Sequence, residues 1–196
     1  MTPDELLAYL GPAFLYAGGA MLAAFALLRL AGAQVDGRHA LTLFLALFFL
    51  ALTQFPLPDR ATLDCSDGGA EAILKPFTTL DHIARLWRWW RNEPGIGLAA
   101  WAGSKVIQAA VMNFALCAAI GAAFARHVAG PGAAWWALGL AVLLSGGAEL
   151  AQLTGLFGLY PCAWRYFEVD DLILNIGGLM AGFALARRWL GPACPA

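Results

Sequence analysis

Glu149 and Gln152 stand one helical turn apart in an otherwise apolar stretch, and Arg165, Asp170, Asp171 and Asn175 follow soon after. These residue types do chemistry. Carboxylates move protons, a guanidinium grips phosphate or carboxylate with its planar fork, and side-chain amides bond across helices. They are also costly in lipid. A charged side chain at mid-membrane costs roughly 2.5–3.5 kcal/mol or more, so one that is kept there is a functional candidate by default. Lys105 and Gln108 add a second, smaller group upstream.

The elements that must carry these residues are membrane helices. Of 196 residues, 61% are hydrophobic and 13% charged, about half the charge of an ordinary soluble domain. Five apolar stretches are each near the ~20 residues that cross a bilayer core. They run over about 12–31, 39–55, 98–125, 133–156 and 172–190. The runs are continuous rather than alternating, which selects helices over a barrel. The expected fold is therefore all-α, an integral membrane bundle of about five transmembrane helices forming one domain over residues 1–196. A net charge of -1 argues against nucleic acid as a partner. The acidic start, Met1-Thr2-Pro3-Asp4-Glu5, lacks the basic region of a signal peptide, so the first stretch reads as a retained helix.

Orientation follows from Lys and Arg in the short connections. Arg29, Arg38, Arg126, Arg187 and Arg188 collect on one side; the other has Arg165 among its short segments, to which the long loop adds Arg60, Lys75, Arg85, Arg88 and Arg91, and long loops count less. That predicts a multi-pass protein of the cell membrane with its N-terminus outside and its C-terminus cytoplasmic. The long 56–97 loop and the 160–169 loop then both face outward. Within the long loop, Leu80, Ile83, Ala84, Trp87 and Trp90 recur at helical spacing, with Asp81, His82, Arg85, Arg88 and Arg91 between them. This is the pattern of an amphipathic interfacial helix. Its arginines would either capture anionic headgroups or simply snorkel to the surface. Cys65 and Cys162 fall in the two outward loops, where an oxidising space lets a disulfide persist, and are expected to pair. Cys117 lies inside the third stretch and Cys194 in the tail. His39, His82 and His127 are scattered, so no metal site and no cofactor is expected.

This topology brings the polar residues to one depth. Glu149 and Gln152 share a face in the outer half of the fourth helix, and Asp171 shares a face with Asn175 in the fifth. Lys105 and Gln108 occupy the outer half of the third. Buried charges need partners, so Lys105 is expected to pair with Glu149, and Arg165 with Asp170 or Asp171. The expectation is a polar pocket between the third, fourth and fifth helices, open outward and lined by Glu149, Gln152, Arg165, Asp171, Asn175 and Lys105.

The order Glu149-Leu-Ala-Gln152, then Arg165-Tyr-Phe-Glu-Val-Asp-Asp171-Leu-Ile-Leu-Asn175-Ile-Gly177-Gly178, with Gly182 beyond, resembles the VanZ-like family. That family carries E-x-x-Q, then an R-x-F-D-x-D-D-hydrophobic-N-x-x-G block leading into the last helix. Lys75-Pro76-Phe77 is similar to its Pro-Phe segment, and Asn113 with Gly121 matches the ends of its N-x-x-x-F-x-P-x-G stretch. Here Cys117 and Ala119 replace that Phe and Pro, and Glu168 replaces the first Asp of the block. The resemblance covers about 44–188. It implies that Glu149, Gln152, Arg165, Asp171 and Asn175 carry the family's function, and it links the chain to resistance against the lipoglycopeptide teicoplanin. The first functional expectation is the binding or handling of an amphiphile near the outer leaflet. That amphiphile would be a phospholipid, a lipid-linked envelope precursor or a lipoglycopeptide antibiotic. Two other readings stay open: an intramembrane hydrolase or transferase with Glu149 and Asp171 as acid and base, and a scaffold for another membrane protein.

Overall fold

The computed structural model describes residues 3–66, 68–93 and 101–190. Cys194 and the 98–100 start of the third apolar stretch lie outside them. Seven helices occur among the described residues. They are α1 (Pro3–Leu30), α2 (Gly37–Gln54), α3 (Thr78–Asn92), α4 (Lys105–Phe124), α5 (Ala133–Leu153), the single turn α6 (Gly155–Gly158) and α7 (Val169–Leu190). Five of them, α1, α2, α4, α5 and α7, are long and apolar enough to cross a membrane. They alternate in direction, so α2 and α5 end where α4 and α7 begin. The faces they turn away from the bundle are greasy. Trp135 and Leu143 are 75% exposed, which water would penalise and lipid does not.

The bundle is tightest between α4 and α7, the most extensive helix pair described. Small residues make this possible. A Cβ added at Gly121 would strike the carbonyl of Leu179, and one at Gly182 the carbonyl of Ala118. Without a Cβ the two backbones approach directly, which is how membrane helices gain dispersion contacts that lipid cannot supply. Around this seam Phe49, Ile120, Leu179 and Phe183 form the core.

The end of the bundle where α4 and α7 begin is closed by two loops that run side by side. A disulfide joins Cys65 to Cys162, with Cα atoms 5.8 Å apart. Gly69 then bridges Ala163; at φ +86° and with no room for a Cβ beside Ala163 and Cys162, that position demands glycine. Next come two short parallel strands, β1 (Ala72–Ile73) and β2 (Phe167–Glu168), in the register Ala72 to Phe167 and Ile73 to Glu168. The series ends where Asp170 takes hold of α3. Its Oδ1 accepts from the Phe77 backbone N–H at 2.5 Å, and its Oδ2 accepts from Thr78 Oγ1 at 2.8 Å and the Thr79 N–H at 2.6 Å. Phe77, the residue before α3, has a left-handed backbone and no side-chain cap of its own. Asp170 supplies from across the fold what a local N-cap would supply.

α3 is the amphipathic segment expected from the Trp and Arg spacing, and it buries none of its side chains fully. Trp87 packs on Trp90 at 4.7 Å and edge-on to Trp101 at 5.4 Å, between ring centres. At the opposite end of the bundle Asp36 caps α2 reciprocally with His39. Hydrogen bonds from the His39 backbone and ring hold the Asp36 carboxyl down at about 2. His127 stacks 4.5 Å from His39 and shares a 2.9 Å hydrogen bond with Thr42.

Candidate functional site

A cavity of about 680 Å³ opens at the disulfide-bearing end. Leu52, Val106, Ala109, Ala110 and Met112 give it apolar surface. Lys105, Gln108, Asn113, Gln152, Arg165, Glu168 and Asp171 give it polar surface, and along α4 the two kinds interleave. The cavity reaches beyond the expected three helices, since Leu52 and Thr53 come from α2 and Thr79 from α3.

Of the six residues expected to line it, Gln152, Arg165, Asp171 and Lys105 do so, while Glu149 and Asn175 are buried off the lining. Arg165 and Gln152 converge on one atom. The Thr53 carbonyl accepts from Arg165 Nη1 at 2.5 Å and from Gln152 Nε2 at 2.7 Å. Thr53 lies in the last turn of α2, where carbonyls lack intrahelical partners and the helix dipole is negative. A guanidinium and an amide satisfy it, so both side chains help hold the site together as well as facing it. Asp171 Oδ1 accepts from Asn113 Nδ2 at 3.2 Å across the α4–α7 seam. One turn deeper, Asn175 donates to Ser145 Oγ at 3.2 Å and lies 3.6 Å from Cys117 Sγ, tying α7 to α5 and α4.

Two expected pairings give way to other partners. Lys105 does not meet Glu149. Lys105 is exposed at the first residue of α4, whereas Glu149 is 1% exposed and its Oε2 accepts the Glu168 backbone N–H at 3.0 Å. An N–H presented by β2 reaches an inward-facing carboxylate that a lysine at the rim does not. Asp170 likewise turns to the start of α3 rather than to Arg165. The field of Arg165 instead acts on Glu149, Glu168 and Asp171.

The expected set missed Thr53, Asn113, Trp164 and Glu168. Asn113 and Glu168 were visible as motif positions, but nothing in the sequence singles out a helix-end carbonyl or a loop tryptophan. Burial, with the like charges of Asp171 and Asp170, pushes the Glu168 carboxyl above its ordinary range, against the pull of Arg165. The folded protein thus keeps this proton to higher pH than the unfolded chain does. Stability from this group is full below the ordinary glutamate value and falls as pH rises through the raised one. Glu168→Gln is expected to flatten that part of a plot of Tm against pH. An unchanged slope would show that Glu168 is not its source.

Among the described residues no three His, Cys, Asp or Glu side chains come together as a metal site. Five apolar helices, a disulfide-tied cap and a half-polar chamber beneath it define a multi-pass helical membrane protein with a cavity at one end. The chain belongs to the VanZ/LLP1 family, whose family model matches residues 42–190. That region includes every residue of the chamber and leaves α1 outside. Comparison with curated proteins and with solved structures found no match.

Proposed function

We propose that the protein binds an amphiphile, with its headgroup against the polar groups of the chamber and its chains against the apolar ones, at the outer leaflet. The carrying observation is the mixed lining of one cavity. Charged and amide groups (Lys105, Gln108, Asn113, Gln152, Arg165, Glu168 and Asp171) share its wall with Leu52, Val106, Ala109 and Met112. A headgroup joined to acyl chains needs both kinds of contact. Two further points favour the outward placement. The disulfide sits at the chamber end, as an oxidising compartment allows. In the shortest connections Arg29, Arg38, Arg126, Arg187 and Arg188 gather at the other end against Arg165 alone, which favours that end as cytoplasmic, while Arg60, Lys75, Arg85, Arg88 and Arg91 of the 56–97 loop weigh the other way. An acid–base role for Glu149 and Asp171 draws less support, because Glu149 lies off the lining and already accepts a backbone N–H.

The test is lipid retention. The purified protein is expected to carry an enriched lipid that mass spectrometry identifies. Ala109→Trp, which places an indole in the cavity at an exposed position of α4, is expected to remove at least ~90% of it. The added indole occupies space that the ligand's chains would fill, in a cavity of ligand size. Equal retention by the variant would sink the reading. Through its family the chain is also proposed to contribute to teicoplanin resistance. Expression in a sensitive host should then raise the inhibitory concentration, and Ala109→Trp should reverse the rise.

A further inference from the structure

The chamber has a specific charge pattern. Its ionisable lining groups other than tyrosine are two cations, Lys105 and Arg165, and two anions, Glu168 and Asp171. A site for a simple anion would carry a surplus of positive charge, and a site for a simple cation the reverse. The same wall holds one hydrogen-bonding atom of each kind without a partner among the described residues. These are the buried acceptor Gln108 Oε1 and the buried donor Trp164 Nε1. A buried polar atom left unbonded costs about 1–3 kcal/mol, so an occupant that supplies both an N–H or O–H and an acceptor oxygen recovers both costs.

We infer that the chamber selects a zwitterionic headgroup, a phosphate ester bearing a primary ammonium. This rests on the reading that the chamber takes the headgroup of an amphiphile. Lys105 stands at the rim, three residues before Gln108 on the same face of α4, and offers a mobile point charge to a phosphate. Trp164 Nε1 adds a neutral donor for a phosphate oxygen. Glu168 and Asp171 receive the ammonium, with Asn113 holding Asp171 Oδ1 in place. Gln108 Oε1 accepts one of its N–H groups. A primary ammonium has three donors to distribute among such acceptors, whereas a trimethylated one has none. An anionic headgroup such as phosphatidylglycerol would engage Lys105 through its phosphate but bring no cation to Glu168 and Asp171.

The test uses the full-length protein, delipidated in detergent and offered equimolar phosphatidylethanolamine, phosphatidylcholine and phosphatidylglycerol of matched chains, read by native mass spectrometry. Phosphatidylethanolamine is expected to bind about tenfold more than either competitor, as a charge-assisted contact allows. Glu168→Gln should reduce its binding alone. Lys105→Gln, at an exposed position that folding tolerates, should reduce phosphatidylethanolamine and phosphatidylglycerol together and leave diacylglycerol unchanged. Equal binding of the three lipids, or preference for phosphatidylglycerol, overturns the zwitterion and leaves amphiphile binding standing. Water-soluble phosphoethanolamine bound as tightly as the lipid supports the zwitterion and overturns the amphiphile. Absence of any binding overturns both.

Discussion

Gly182→Ala is expected to lower the Tm of the purified protein by about 5–10 °C. The added methyl would meet the backbone of Ala118, which has no rotamer to move aside. α4 and α7 must then separate, and overpacking of this kind costs about 2–3 kcal/mol. Gly178→Ala is expected to behave alike, because its Cβ would meet the backbone of Phe114. Gly177→Ala is the internal control. It lies on the same helix with open space around it, and alanine is the better helix former by up to about 1 kcal/mol. The seam also carries polar joints of the site, Asn113 with Asp171 and Cys117 with Asn175. Gly182→Ala should therefore weaken lipid retention as well as stability, while Gly177→Ala spares both. A thermal melt of the three variants checks the order, and equal melting of all three would refute the close-approach argument.

The same residues show what a sequence reveals and what it hides. The spans were legible because length and apolarity are properties of a segment alone; the expected 133–156 stretch contains the observed α5, Ala133–Leu153. The cap was legible only in part. Cysteine chemistry suggested its disulfide, but β1 and β2 are two residues each, too short for any alternation to register. Rotation about a helix axis was the main obstacle. Asp170 and Asp171 are neighbours in sequence, yet successive helix positions point about 100° apart. One therefore faces α3 and the other Asn113 on α4. Both read as plausible site carboxylates until the partners are known. Counting along the helices puts Glu149 and Lys105 at one depth, yet Glu149 is buried inside the bundle and Lys105 is exposed at the rim. Depth follows from counting residues, whereas facing depends on tertiary packing.

That division between the two aspartates leads to the second large effect. Asp170→Ala is expected to free α3 from the bundle, raising hydrogen exchange of its amides about a hundredfold. The Asp170 carboxylate accepts three hydrogen bonds at the start of α3, from Phe77, Thr78 and Thr79. Hydrogen bonds to a charged group contribute about 1.5–3 kcal/mol each, but the freed donors regain water and the helix stays tethered at Trp87 and Trp101. A net loss of about 3 kcal/mol is the expectation, which corresponds to that exchange factor. Asp170→Asn keeps the shape and loses the charge, so it should fall between wild type and Asp170→Ala. Asp171→Asn should leave α3 protected, because its side chain addresses α4 rather than α3. Thr79 lines the chamber beside this clamp, so release of α3 should also open the cavity and speed lipid exchange. If Asp170→Ala left the α3 amides as protected as before, the interfacial tryptophans rather than the aspartate would be what anchors this helix.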